Sequence, residues 1–201
     1  MIGWKGAKLG DKMDIFFCDI VGTFEGNQEN RVYEVKEFIE KILKLVEIDQ
    51  VNHIIFSFIS SENMEIVKQC INEIKPYLND QIKLGIQFSE EAIYFEGSVS
   101  EINMSGKLEQ ILYVTKKLEK VKNIYFADDS EINQKIISEV LKVKYPNFNI
   151  ISFVPGTESK QFFYGNEQKG ITGLNKIIDH YIHTKKPQTK PIVKQNIRRY
   201  S

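Results

Sequence analysis

The strongest constraint on the fold is an alternation. Apolar runs of strand length take turns with segments whose apolar residues recur every three or four positions. Met13-Asp-Ile-Phe-Phe-Cys18, Asn52-His-Ile-Ile-Phe-Ser-Phe-Ile59, Asn123-Ile-Tyr-Phe-Ala127 and Asn149-Ile-Ile-Ser-Phe-Val154 are the strand candidates. Between them, Val32, Val35, Phe38, Ile39, Ile42, Leu45 and Val46 mark one helical face over 31–46. A second helix is predicted over 63–75, with Ser60 and Ser61 before it and Pro76 as its stop. A third is predicted to open at Gly106, a fourth to be capped by Ser130 and carry Ile132, Ile136, Ile137, Val140 and Leu141, and a last to run over 170–183. Ile82 to Phe88 and Ala92 to Phe95 are weaker strand candidates. Strand, helix, strand, helix is the pattern of an α/β domain with a mainly parallel sheet and right-handed crossovers.

The 201 residues, 42% of them hydrophobic, suit one domain with a sizeable core. We expect it to occupy 13–183, after a short extension over 1–12. Lys185, Lys186, Lys190, Lys194, Arg198 and Arg199, with no acid among them, make 184–201 a basic tail. Its two prolines and lack of apolar periodicity read as flexibility. The 27 basic and 27 acidic residues balance overall, so a general nucleic-acid binder is disfavoured. Two cysteines, Cys18 and Cys70, make no disulfide framework, and no run reaches the length of a membrane span. A cytoplasmic protein without a membrane partner is the expectation.

In an open parallel sheet, ligands bind beyond the carboxyl ends of the strands. Asp19 follows the first run, Ser60 the second, and Asp128-Asp129 the run ending at Ala127, with Lys107 on the helix before that run. Three carboxylates meeting at one point repel each other, and a hard cation such as Mg²⁺ relieves the repulsion. Each residue alone has an ordinary reading: Asp128-Asp129-Ser130 as a turn and cap, Ser60 as a cap, Lys107 as a solvated lysine. Their common location at one sheet edge argues for chemistry.

Asp19-Ile-Val-Gly-Thr-Phe24 after an apolar strand resembles the first motif of the haloacid dehalogenase (HAD) superfamily, Asp-x-Asp-Gly-Thr. Ser60, with Ser57 as its rival, is similar to the second motif. Lys107 is similar to the third, and Asp128-Asp129 with Asn133 to the fourth. The resemblance runs from about Met13 to Pro155. It implies a Rossmannoid three-layer sandwich in which Asp19 is nucleophile and Mg²⁺ ligand. Val21 would add its backbone carbonyl, Asp128 or Asp129 would complete the metal site, and Ser60 and Lys107 would hold phosphate and nucleophile.

One position departs from the pattern. The family's phosphatases carry a second Asp two residues after the nucleophile, and here Val21 stands there. Acid–base help of that kind contributes typically about 10²–10⁴-fold, and valine supplies none. Glu25 lies nearby but reads as a loop carboxylate. The intervals 24–30 and 75–107 leave room for no more than a minimal cap, so the site should be open to a small or large phosphorylated substrate, or be covered by an oligomeric neighbour. Two functions follow: a Mg²⁺-dependent phosphohydrolase or phosphotransferase of reduced activity, or a catalytically impaired pseudoenzyme serving as a binding or regulatory module.

Overall fold

The computed structural model describes residues 12–25, 29–59, 64–84, 100–116, 118, 120–156, 163–165 and 169–185. Six strands, β1 (Met13–Cys18), β2 (His53–Phe58), β3 (Ile82–Leu84), β4 (Val121–Ala127), β5 (Asn149–Pro155) and β6 (Phe163–Gly165), form one sheet in the order β3-β2-β1-β4-β5-β6. Every neighbouring pair is parallel. Helices α1 (Arg31–Asp49), α2 (Met64–Ile74), α3 (Ser100–Thr115), α4 (Glu131–Lys144) and α5 (Gly170–Lys185) link them. This is the α/β, doubly wound arrangement that the alternation predicts, with its switch point between β1 and β4.

Two apolar layers flank the sheet. On one face Phe16, Phe56, Tyr125 and Phe153 meet α1, α2 and α5 through residues such as Phe38, Val67 and Ile178. Phe16 is the hub of that layer, stacked against Phe56, Tyr125 and Phe153 at centroid distances of 5.9, 5.8 and 6.0 Å. On the other face Ile15, Phe17, Ile55 and Phe126 meet α3 and α4 through Ile111, Val114, Ile137 and Leu141. Rings in direct contact add about 0.5–1.5 kcal/mol per pair beyond burial, so the two central strands are held firmly and their ends are fixed platforms.

Several boundaries differ from the expectation. The third helix starts at Ser100, and Gly106 lies inside it. Glycine is a poor helix former, which is why the sequence suggests a start there, yet one such residue does not break a helix anchored by its later turns. β6 was not expected, since Gln161-Phe-Phe-Tyr-Gly165 reads as a connection between elements. It is a three-residue edge strand paired with Phe153–Pro155. Val32 and Ile132 are apolar but exposed; the buried residues in the same first turns are Arg31, Glu34 and Gln134. The strand candidate Ala92 to Phe95 and the tail from residue 186 lie outside the described residues, as does the extension before residue 12.

A buried acid sits at the amino edge of the sheet, away from the ligand edge predicted above. Asp14 on β1 accepts from the Asn123 backbone N–H at 2.9 Å and from Asn123 Nδ2 at 3.1–3.2 Å. The Tyr125 hydroxyl donates to Asp49 next to it. Burial above all, with the neighbouring Asp49, pushes the Asp14 carboxyl up from its ordinary 3.8 to about 7. The folded protein therefore holds this proton more tightly than the unfolded chain. The stability it contributes is complete below pH 4 and is lost as pH rises through 7. Asp14→Asn is expected to be more stable than the parent at pH 8, on the order of 1–3 kcal/mol, with the gain gone at pH 4. Urea denaturation at both pH values checks this.

Candidate functional site

The strand ladders continue past the ends of β1 and β4 and deliver two carboxylates side by side. Cys18 is in register with Ala127. The Asp19 N–H then donates to Ala127 O at 2.9 Å, and the Asp128 N–H to Phe153 O at 3.2 Å. Both aspartates are thus fixed by backbone, not by side-chain packing, and both are buried. The chain leaves Asp19 in a tight turn, in which Ile20 O accepts from the N–H groups of Thr23, Phe24 and Glu25.

Lys107 reaches the pair from α3. Lys107, Ile111 and Val114 share the helix stripe that faces the sheet, so the lysine stem is buried and only its head meets polar atoms. Its Nζ lies 2.9 Å from Asp19 Oδ2 and 2.9 Å from Asp128 Oδ2. Burial pulls the ammonium pKa down, but the two carboxylates outweigh it and hold the value above the ordinary one. Lys107 stays charged. Burial likewise pushes Asp19 up, to about 7; Lys107 opposes the shift and Asp128 adds to it.

The fourth strand's exit is organised from α4. Ser130 caps the helix by accepting from the Asn133 N–H at 3.3 Å. Asp128 Oδ1 accepts from the Ser130 N–H at 2.8 Å, and Asn133 Nδ2 lies 3.3 Å from both Asp128 oxygens. Gln134 Nε2 donates to Phe126 O at 3.1 Å and to Phe153 O at 3.0 Å, pinning α4 to the sheet edge. Asp128 thus has a capping role and a site role together. Asp129 is half-buried, and burial, with the Asp128 charge beside it, raises its carboxyl.

Asp19, Asp128 and Asp129 each offer an oxygen such that all three lie within 4.8 Å of one another. Three carboxylates face one buried ammonium there, and two of them sit above their ordinary pKa. That is the signature of a pocket short of positive charge. Hard oxygen donors at this separation fit Mg²⁺, so the residues present suit the group.

The structure therefore brings together Asp19, Lys107, Asp128 and Asp129. Val21 lies in the turn two residues after Asp19 and is 44% exposed. Ser60 lies outside the described residues. Ser57, its rival, is buried on the strand, level with Phe17. Two residues were not anticipated. Gln134 is a buried polar residue in a helix that the apolar pattern cannot reveal. Lys169 stands before α5 with its Nζ 3.7 Å from Asp129 Oδ2, and no motif signals it.

In structure the chain is similar to the yhjK protein of Bacillus subtilis, a haloacid dehalogenase-like hydrolase protein. The two are 13% identical with a TM-score of 0.40, over 88% of this chain and 91% of that one. No family model matches the sequence, and no curated protein matches it significantly. The chemistry accordingly rests on the side chains. Among the described residues, no helix is long and apolar enough to cross a membrane.

Proposed function

We propose that this chain is a Mg²⁺-dependent phosphohydrolase or phosphotransferase of the HAD-like type, working through an aspartyl-phosphate at Asp19. The observation that carries the reading is the Lys107 ammonium, 2.9 Å from both Asp19 and Asp128. A buried ion cluster is weak evidence for stability, since apolar residues of similar volume often do as well. It is well suited to hold a carboxylate ionised and oriented.

Asp19, Asp128 and Asp129 would hold the cation, with the Val21 carbonyl as a further ligand. When bound, the ion neutralises phosphoryl oxygens as a Lewis acid. Lys107 engages Asp19 Oδ2 and sets the direction of the carboxylate. An Asp19 oxygen attacks phosphorus; the bond to the leaving oxygen breaks, and that oxygen takes its proton from solvent, because Val21 has none to give. Water then attacks the aspartyl-phosphate, releasing phosphate and restoring the carboxylate. Transfer to another acceptor instead of water makes the same site a phosphotransferase.

The exposed Val21 supports a second reading, a pseudoenzyme that keeps the pocket as a binding or regulatory module. The variant Val21→Asp separates the two. In a generic aryl phosphatase assay with and without Mg²⁺, it is expected to raise turnover by about 10²-fold, the lower end of what acid–base help supplies. No metal-dependent turnover in either protein would favour the pseudoenzyme.

A further inference from the structure

Lys169 belongs to none of the roles above, yet its position is built from both sides. Its side chain is 70% exposed, while Asp129, its partner, is 26% exposed. A Cβ on Gly22 would come within 2.3 Å of Asp129 Oδ2, and a Cβ on Gly156 within 2.6 Å of Lys169 Cγ. Both glycines hold positive φ, +71° and +85°, where other residues are strained. Each member of the ion pair is thus seated in a gap left by a missing side chain. The lysine's own backbone is fixed as well. Gly170 N–H, next to it, donates to Gly22 O at 2.7 Å, and Ile171 N–H donates to Glu25 O at 2.9 Å.

Stability does not explain this placement. A solvent-exposed pair contributes about 0–1 kcal/mol, less at 3.7 Å than in direct contact. Lys107 is buried and committed to two carboxylates, so it cannot reach outward. Lys169 stands on the outer side of Asp129 with its ammonium toward solvent.

We infer that Lys169 is a second anion contact of the phosphate site, selecting substrates that carry another anionic group, a carboxylate or a second phosphate, beside the transferred phosphoryl. The inference rests on reading the three aspartates as a phosphoryl site. An anion approaching this rim would be repelled by the Asp129 charge, and the more exposed Lys169 ammonium, 3.7 Å from Asp129 Oδ2, is placed to offset it. A cation shared by Asp129 would leave the ammonium available to the substrate.

Methylphosphonate and phosphonoacetate differ by one carboxylate and neither has a phosphate-ester bond for the proposed step to break, so calorimetric titration of both in Mg²⁺ isolates that contact. The parent protein is expected to bind phosphonoacetate about tenfold more tightly, the value of one charge-assisted contact. Lys169→Ala should bring the two ligands to parity with methylphosphonate affinity within about twofold of the parent's, and Lys169→Arg should keep the preference. Equal affinity of the parent for both ligands, or equal weakening of both in Lys169→Ala, overturns the inference and leaves the phosphoryl site standing. A parent that binds neither ligand sinks the phosphoryl-site reading and this inference with it.

Discussion

Asp19→Asn is expected to lower Mg²⁺-dependent turnover by about 10³-fold or more, ~4 kcal/mol in barrier, without a loss of stability. Asparagine preserves the side chain's shape but is a far poorer nucleophile than a carboxylate. It also removes one charge from three clustered carboxylates, leaving Lys107 paired with Asp128 alone. A residue retained for packing would destabilise the fold when changed; one retained for chemistry should be neutral or stabilising. Turnover and the urea midpoint, measured on the same preparation in metal-free and Mg²⁺ buffers, separate these outcomes. Equal metal-independent background in both proteins would remove the nucleophile assignment.

Lys107→Met carries the largest expected effect on stability. The thioether fills the stem's space but leaves Asp19 and Asp128 buried without their shared ammonium. Breaking a buried pair by removing one partner typically costs about 3–5 kcal/mol. The sign with pH follows from the carboxylates. With Lys107 gone, Asp19 loses the charge that opposes the burial shift, so its folded-state value rises further above that of the unfolded chain and stability falls as pH rises. The gap from the parent should be wide at pH 8 and narrow at pH 5, and added Mg²⁺ should recover part of it at pH 8. A loss under about 1 kcal/mol at pH 8, within the range of an exposed pair, would mean that the lysine does not bridge the two aspartates in solution.

Much of this was legible in the sequence because it depends on local rules. Apolar runs ending in Asp19 and in Asp128-Asp129 place those acids at strand ends, and a parallel sheet gathers its strand ends at one edge. Ser130 reads as a cap and is one. Lys107 was reachable through its place on the helix before the run that ends at Ala127, and the resemblance gave it a role. Alone it reads as a surface lysine, and it is buried because it shares the sheet-facing stripe of its helix with Ile111 and Val114. Lys169 was invisible for a different reason. Its position depends on two glycines far apart in the chain and on the approach of α5 to the turn after β1, none of which leaves a local pattern. β6 escaped because three edge residues carry too little periodicity to separate from a loop. Val32 and Ile132 mislead because the first-turn places against the core are taken by Arg31, Glu34 and Gln134, which no apolar pattern marks.

The hydrogen bonds from Gly170 and Ile171 to Gly22 and Glu25 tie the start of α5 to the turn after β1. A nascent polypeptide has Asp19, Lys107 and Asp128 in hand well before α5 leaves the ribosome. Until then, the turn beyond β1 lacks the two donors that fix its carbonyls. The turn beside the carboxylates is thus fixed by a segment that contributes no carboxylate itself, and a cut ahead of residue 170 would leave every acidic member of the cluster in place while removing the two donors that hold the turn.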